Sequence, residues 1–372
     1  MIELREVSSR ADLKRFVAFP ERLYRRHPYY VPKLLREELH TLRKDRNPAF
    51  EYCEARYWMA LKDGVPAGRI AGIISHRYIE TWKRRRIRFG WLDFVDDADV
   101  ASALLGAVEA WGRERRLDEA HGPLGFCDFD RQGVLVEGFE ELDLLITNYN
   151  YPYYPAHLER LGYEKDVDWL EYLVTVPEAI PERIDRLSRA VLDSSGLRLL
   201  ETAHARDLRP YIGEAFALIN ETYKHLYSVV RLSDAQVRFY TKAFFGYLDH
   251  RYVKILLDRD GRMAAFGVSM PSLSRALQRT RGRLFPFGFI RLLRAMRTND
   301  RLDLLLTAVR PDVQNKGLGA VLMHETWKAA AARGIKYAEA SPQLETNTKV
   351  RAQWANFESR QHRRRRCYVK AF

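Results

Sequence analysis

The amino-acid sequence predicts a mixed α/β (α+β) protein made of two similar units, each with a mostly antiparallel sheet flanked by helices. In each half, helical patterns come first, a meander of strands follows, and a helix-strand-helix-strand run ends the series. The two series are separated by roughly 200 residues, as an old duplication would leave them. Because 372 residues are too many for one ordinary core, we expect domains at 1–176 and 197–372 and a linker at 177–196.

Composition and charge narrow the classes of protein and partner. With 47% hydrophobic and 30% charged residues the chain has the composition of a soluble globular protein. No apolar run has the length of a signal core or a membrane span, so we expect a cytoplasmic protein without a transmembrane segment. Three scattered cysteines predict neither disulfides nor a structural metal. A net charge of +13 favours an anionic partner: coenzyme A, an acidic carrier protein, nucleic acid or an anionic membrane.

The first unit begins with basic helical patterns and continues with a β-hairpin around the Asp63-Gly64 turn. Its predicted elements are helices at 11–18, 21–26 and 32–44, strands at 57–61, 65–75 and 86–94, a helix at 99–115, a strand at 119–122, a helix at 153–161 and a strand at 169–176. The aromatic-rich segment 122–154 is predicted to be a long loop. It is either a substrate-facing lid or a packing surface between the units.

The second unit repeats this order after a short linker helix at 181–192. Its predicted elements are a strand at 197–201, helices at 208–227 and 234–245, strands at 252–257, 263–270 and 304–309, a helix from Ala320, a strand at 336–340, a helix at 345–361 and a strand at 367–371. The arginine run at 363–366 would suit nucleic acid or the phosphates of CoA, but we interpret it as a solvated face.

An insertion at 271–300 interrupts the second unit. It carries seven arginines against one acid, Asp300, with the apolar run 284–290 in its middle. This pattern predicts a basic helical hairpin with an apolar tip. The hairpin could lie on a membrane surface, grip an acidic acyl carrier protein or cover a long acyl chain. Alternatively, it is a solvated lid whose aromatic residues pack on the first unit.

The most informative stretch joins the strand at 304–309 to the helix that starts near Ala320. Gly317 and Gly319 carry no Cβ, so an anion can approach the free amides at the start of this helix. A Walker A loop needs Gly-Lys-Ser/Thr, but Lys316 precedes Gly317. A dinucleotide-binding loop needs Gly or Ala where Leu322 stands. Both kinds of loop are therefore excluded.

The remaining pattern, Gln314-x-x-Gly317-x-Gly319, resembles the acyl-CoA pyrophosphate loop of the GNAT acyltransferase superfamily. The resemblance implies acyl-CoA, either acetyl-CoA or a longer thioester, as co-substrate. It also implies that a backbone N–H near 307–309 polarises the thioester carbonyl where two parallel strands splay apart. The donor-binding residues that it implies are Ala308, Val309, Gln314, Asn315, Lys316, Gly317, Leu318, Gly319, Ala320 and, in the last helix, Asn347.

The first unit lacks this loop. Three carboxylates, Asp96, Asp97 and Asp99, stand in the corresponding place and would repel a pyrophosphate. We interpret Asp99 or Asp96 as the N-cap of the following helix. The second unit is therefore predicted to hold the donor site of the chain.

The sequence leaves the acid and base of the reaction open. Glu339, on the strand beside the loop's strand, is the first candidate for the base, followed by Glu221, one helical turn from His225, and by Glu345. The family resemblance places a tyrosine acid in the last helix, but Trp354 stands there, and an indole has no useful acidity. Three alternatives follow: Tyr368 replaces that tyrosine, the thiolate leaves unassisted, or the site is not that of a typical acetyltransferase.

Three hypotheses follow for the function. The first is an N-acyltransferase that moves an acyl group from acyl-CoA to a primary amine of a small molecule or peptide. The second is a long-chain acyltransferase that takes its acyl group from acyl carrier protein. The third is a non-catalytic module that responds to CoA or binds nucleic acid, and nucleic acid ranks last among the expected partners.

Overall fold

The structure is a computed structural model that describes residues 1–180 and 182–372. The elements of the first unit are β1 Ile2–Glu6, α1 Arg10–Leu23, α2 Leu35–Thr41, β2 Cys53–Lys62, β3 Val65–Ser75, α3 His76–Trp82, β4 Arg86–Phe94, α4 Ala98–Glu114, β5 Glu119–Gly122, β6 Val134–Glu137, α5 Tyr153–Arg160 and β7 Glu164–Thr175. Short 3₁₀ turns lie between some of them.

The second unit contains the remaining elements. They are α6 Glu182–Ser195, β8 Arg198–Leu199, α7 Ile212–Thr222, α8 Asp234–Phe244, β9 Val253–Leu257, β10 Met263–Pro271, α9 Ser274–Thr280, α10 Gly288–Arg297, β11 Arg301–Val309, α11 Leu318–Ala331, β12 Tyr337–Ala340, β13 Gln343–Leu344, α12 Thr348–Ala352 and β14 Ser359–Ala371. The predicted start of the linker helix, Pro181, lies outside the described residues.

The predicted mixed α/β fold with mostly antiparallel strands is confirmed. The main path of the sheet runs β1-β2-β3-β4-β5-β14-β7-β12-β11-β10-β9-β8, with β6 and β13 paired beside it. Each unit contains one parallel pair, β4 with β5 and β11 with β12, after an antiparallel meander. The two halves therefore repeat one plan, as the element order predicted.

The last strands of the two units lie between the units. Strand β14, from the end of the chain, pairs with β5 and β7, while β7 pairs on its other side with β12. Each unit thus contributes its final strand to the middle of a sheet that both share. The predicted domain boundaries at 176 and 197 therefore divide the chain into two stretches, and the strands of both stretches form one sheet.

The N-terminal segment differs from the predicted run of helices. Residues Ile2–Glu6 form an edge strand, and α1 continues through Pro20 instead of breaking there. Proline has no N–H to bond the carbonyl four residues earlier, which here is that of Phe16. The buried guanidinium of Arg69 donates to this oxygen at 2.8 Å, so the carbonyl still has a partner. A long-range contact, which no local pattern reveals, allows this proline inside the helix.

The end of the chain also differs from its prediction. The predicted helix at 345–361 is wrong, because α12 ends at Ala352 and the chain is extended from Ser359. The interpretation of 363–366 as a solvated face is wrong as well. Arg363 and Arg365 are fully buried and pair with the buried carboxylate of Glu171 from β7. The arginine run that motivated the nucleic-acid hypothesis is therefore mostly engaged inside the protein.

Two further findings concern the cysteines and the search for membrane-spanning helices. Cys53, Cys127 and Cys367 are buried free thiols. Among the described residues, no helix combines the length and the apolar character needed to cross a bilayer.

Candidate active site

The site begins where β11 separates from β12. The two strands pair only from Arg301 to Leu304, opposite 337–340. Leu305 is the extra residue of a β-bulge, because Val268 pairs with Leu306 while Ser269 pairs with Leu304. After Ala340 the chain turns to pair with β7 through β13. The part of β11 that follows the bulge is thus left without a neighbour on one side, at the C-terminal end of the parallel pair.

The loop after β11 presents a row of free amides. The backbone N–H groups of residues 315–319 donate to no acceptor in the described parts of the chain. The first turn of α11 follows directly, and its N-cap, Gly317, provides no capping side chain. Consecutive free amides and the positive end of a helix dipole both favour an anion. The side-chain amide of Gln314 donates to the carbonyl of Val309 at 2.9 Å, which ties the loop to the strand.

The two glycines of this loop have different roles. Gly317 adopts a left-handed conformation with φ of +78°, in which a side chain would be strained. Gly319 has an ordinary conformation, and a Cβ placed on it would meet no atom within 4 Å. The space over Gly319 is therefore open to a ligand. The predicted loop residues Gln314, Asn315, Lys316, Gly317, Leu318, Gly319 and Ala320 lie together here, next to Ala308 and Val309.

A tyrosine occupies the splayed edge of β11. Tyr223, which directly follows α7, donates its hydroxyl proton to the carbonyl oxygen of Thr307 at 3.0 Å. The N–H of Thr307 lies 3.4 Å from the same hydroxyl oxygen. Burial raises the pKa of Tyr223 to about 12, so the phenol is protonated at neutral pH. The strand N–H expected to polarise a carbonyl thus already faces an oxygen atom.

The long loop of the first unit reaches this place. Burial raises the pKa of Asp128, and its charge contributes to the raised pKa of Tyr223. Gln132 donates to the Asp128 carboxylate at 2.7 Å. Phe129 packs on Phe216 and Tyr240 of the second unit, with ring centroids 5.7 and 5.0 Å apart. The site is therefore assembled from both halves of the chain.

An open, largely apolar pocket lies beside Phe129, between the units. It is lined by Leu145 and Ile146 of the long loop and by Phe239, Tyr240 and Phe244 of α8. Segment 122–154 thus packs between the units through Phe129, in agreement with one of the two alternatives. The same segment also forms one wall of the pocket, and its role as a substrate-facing lid stays a prediction.

The predicted base Glu339 lies on β12, as expected, opposite Asp303 on β11. Its carboxylate is buried between Arg301 and Arg363, at 2.8 and 2.7 Å. Glu221 is exposed on α7 and close in sequence to Tyr223. The oxygens of Glu345 accept from Lys165 and from the backbone N–H of Asp168. The structure does not bring these three carboxylates together.

The other predicted residues lie at the end of the chain. Tyr368 is buried in the core of the first unit, and its hydroxyl donates to Glu159 at 3.1 Å. Trp354 is buried, with its indole N–H donating to Gln343 at 2.9 Å. Asn347 is the N-cap of α12, where its side chain accepts from the N–H of Val350. Tyr368, on β14, and Asn347, at the start of α12, thus lie on different elements.

The corresponding place in the first unit is closed by its own side chains. Asp97, not Asp96 or Asp99 as expected, is the N-cap of α4 and accepts from two helix amides. Asp96 contacts His157 at 2.7 Å. The N–H of Phe94 donates to the Tyr154 hydroxyl at 2.9 Å. The groups that would bind a donor here have partners, in agreement with the predicted loss of this loop.

Sequence reasoning did not single out Tyr223 and Asp128 as residues of this site. Tyr223 ends an amphipathic helix, where an aromatic residue usually belongs to the core. Asp128 lies in segment 122–154, which the sequence predicts only as a long loop. A signal was available in that loop, because long aromatic-rich loops of compact domains often carry function. The proximity that lets the charge of Asp128 raise the pKa of Tyr223 depends on how the units meet, which no local pattern specifies.

The fold is that of the tandem GNAT acetyltransferases. The chain is similar over its whole length to a tandem GNAT protein from the clavulanic acid biosynthesis pathway, with a TM-score of 0.58, 12% identity and 98% of that chain covered. It is also similar to a GCN5-related N-acetyltransferase from Sphaerobacter thermophilus, with a TM-score of 0.51, 11% identity and 95% of that chain covered. At such identities the likeness concerns the fold.

Two curated proteins are similar in sequence over nearly the full length. Protein YghO of Escherichia coli K12 is 28% identical over 382 residues, which cover 99% of this chain and 95% of that protein. The bacterial ceramide synthase of Caulobacter vibrioides is 28% identical over 375 residues, which cover 98% of this chain and 96% of that protein. No family model matches the chain.

Proposed function

We propose that this protein is an N-acyltransferase that transfers an acyl group from acyl-CoA to a primary amine. The observation that carries the proposal is the combination, at one strand end, of a splayed parallel pair with the free amides of residues 315–319. A pyrophosphate at these amides lets the rest of CoA run along the open edge of β11. The thioester carbonyl then reaches the N–H of Thr307 by displacing the Tyr223 hydroxyl, whose contact with that N–H is long at 3.4 Å.

Tyr223 and Asp128 are the residues we propose for proton transfer. The Asp128 carboxylate takes a proton from the substrate ammonium, and the free amine attacks the thioester carbon. When the carbon–sulfur bond breaks, Tyr223 gives its proton to the thiolate, and the substituted nitrogen returns one to Tyr223 as it becomes an amide. A raised pKa makes Asp128 a stronger base and keeps Tyr223 protonated. Glu339 and Glu221 remain alternative bases, and Tyr368 remains an alternative acid.

We further propose that the acceptor is a long-chain amine and the donor a long-chain acyl-CoA. A ceramide is the amide of a fatty acid with a long-chain amino alcohol, and one similar protein is a ceramide synthase. The apolar pocket between the long loop and α8 supports this choice, because it offers aromatic and aliphatic walls for an alkyl chain. Leu305, at the bulge, belongs to a further apolar cluster with Leu273 and Leu277.

The experiment is a transfer assay with the full chain. Acyl-CoAs of increasing length are incubated with long-chain amino alcohols, short amines and a peptide, and amides are detected by mass spectrometry. We expect amide and free CoA in equal amounts, with turnover rising with the length of both substrates. Amide formation that proceeds only with short amines contradicts the acceptor proposal. Absence of amide from every donor and acceptor contradicts the transferase proposal itself.

A further inference from the structure

The insertion folds as a helical hairpin whose base is fixed to the rest of the protein. We call residues 274–297, which comprise α9, a short turn and α10, the arginine hairpin. Leu277 and Leu292 are buried in a cluster with Val31 and Leu34 of the first unit. The side-chain amide of Gln278 donates to the carbonyls of Pro28 and Tyr30 at 2.8 and 2.9 Å. The hairpin is therefore anchored across both units.

Its tip presents large apolar side chains to solvent. Phe285 and Phe287, in the turn, are 75% and 72% exposed, and Phe289, Ile290 and Leu293 are exposed on α10. One alternative left by the sequence was that these aromatic residues pack on the first unit. Their exposure shows that they do not. Exposed apolar side chains clustered on one surface are unusual for a protein that has no partner there.

Unpaired positive charges surround this tip. Of the seven arginines in the insertion, Arg275 lies 3.5 Å from Asp300. The other six have no carboxylate within ion-pair distance among the described residues; they are Arg279, Arg281, Arg283, Arg291, Arg294 and Arg297. On α10, helical spacing places Arg294 and Arg297 next to Ile290 and Leu293. The surface is therefore apolar and strongly cationic at the same time.

We propose that the arginine hairpin binds the surface of an anionic lipid bilayer, with Phe285 and Phe287 inserted among the lipid chains. Arginines at headgroup level and aromatic or aliphatic residues below them form the arrangement that lies in a membrane interface. Two phenylalanines at a protruding turn suit a deformable lipid surface better than an acidic protein, which would have to provide an apolar cavity for both. Net charge strengthens the attraction, because the chain carries +13.

The proposal does not depend on acyl transfer, since it concerns binding alone. It has a consequence for the proposed site, however. The cluster that anchors the hairpin includes Leu305, the residue at the β11 bulge. The base of the hairpin therefore packs beside the strand on which we place the thioester.

The test is sedimentation of the full chain with vesicles of phosphatidylcholine alone and with added phosphatidylglycerol. We expect binding to the anionic vesicles that weakens as salt is raised. Replacing Phe285 and Phe287 together by serine should weaken it by about tenfold or more. The double variant Arg291→Gln/Arg294→Gln should weaken it and reduce its dependence on salt.

Helix α6 provides the matched control. It carries exposed apolar residues, Ile184 and Leu187, but its acidic and basic residues balance. The variant Ile184→Ser/Leu187→Ser should bind vesicles like the original chain. Equal loss in this control, or full binding by the phenylalanine variant, overturns the proposal. The proposal is also overturned if the chain binds an acidic acyl carrier protein but not vesicles, and if the phenylalanine variant loses that binding.

Discussion

Tyr223 is the side chain at which the two halves of the proposed site meet. Its hydroxyl bonds the backbone of Thr307, and the charge of Asp128 from the other half contributes to its raised pKa. A phenol in this position can act on a thioester only when the substrate displaces it from the strand. Its role as an acid can therefore be separated from any role in holding the fold.

We expect Tyr223→Phe to lower kcat by about a hundredfold while KM for acyl-CoA changes little, because the lost proton acts only on the leaving thiolate. Steady-state kinetics measures both constants. Tyr211→Phe, a change at a half-buried tyrosine just before α7, should leave both unchanged. Unaltered kcat in Tyr223→Phe would remove this residue from the mechanism.

Asp303 leads to a prediction about stability. It is buried opposite Glu339, and one of its oxygens has no hydrogen-bond partner in the described structure. Burial, with a smaller contribution from Glu339, raises its pKa from 3.8 to about 8. Between these pH values the native protein holds a proton that the unfolded chain releases. The contribution of Asp303 to stability is therefore complete below pH 3.8 and is lost as the pH rises to about 8.

The variant Asp303→Asn removes this proton. Its free energy of unfolding should therefore rise relative to that of the original chain by roughly 1 kcal/mol per pH unit across the window. Urea unfolding at a series of pH values measures the difference. Asp300→Asn, a change at a less buried carboxylate of the same segment, should show no such trend. A constant difference for Asp303→Asn across the window contradicts a protonated Asp303.

Among single residues, the sequence singled out the loop that we propose to bind the donor, but not the residues that we propose to act beside it. Gln314, Gly317 and Gly319 follow one another closely, and their conformational requirements are local. Asp128 and Tyr223 are far apart in the chain and carry no motif. Their relation depends on the packing of Phe129 against Phe216 and Tyr240.

Among the elements, β14 shows how charge can mislead. Four consecutive arginines have no hydrophobic period, so they resemble a solvated run rather than a strand. In the structure Arg363 and Arg365 point to one side, towards Glu171, while Arg364 and Arg366 pair with Asp168. The strand is recognisable only with its neighbour β7, which supplies the carboxylates for both faces.

Removing one of the buried arginines should be costly. In Arg363→Met, Glu171 and Glu339 lose the guanidinium that lies 2.7 Å from each. We expect a loss of about 3–5 kcal/mol in the free energy of unfolding, because two buried carboxylates each lose one of their guanidinium partners. Chemical denaturation measures it. Arg360→Met, on the same strand but exposed, should cost less than about 1 kcal/mol, and equal losses would contradict the buried network.

The whole molecule is one sheet that joins two repeats. The order of elements in each half was predictable, because each short segment carries its own period and turn residues. The exchange of β7 and β14 between the halves was not, since sequence order does not specify which edge a final strand joins. The domain boundaries at 176 and 197 thus remain a prediction about folding units.

The shared sheet predicts cooperative unfolding. Strand β5 has β14 as its neighbour, and β7 has β14 and β12. A fragment of residues 1–176 should therefore be largely unfolded, because its sheet is interrupted where β14 belongs. The full chain should unfold in one transition, with fluorescence and circular dichroism coinciding. Two separate transitions, or a stably folded fragment, would show that the units are independent domains.

The central claim is that the chain binds acyl-CoA at the loop of the second unit and nowhere else. Calorimetric titration of the full chain with a long-chain acyl-CoA tests it most directly. We predict one binding site per chain. The variant Gly319→Glu should bind at least about tenfold more weakly, because it places a carboxylate in the open space over the loop. The variant Gly319→Ala should bind nearly as well as the original chain. Two sites per chain, or equal affinity in the original chain and in Gly319→Glu, would contradict this account.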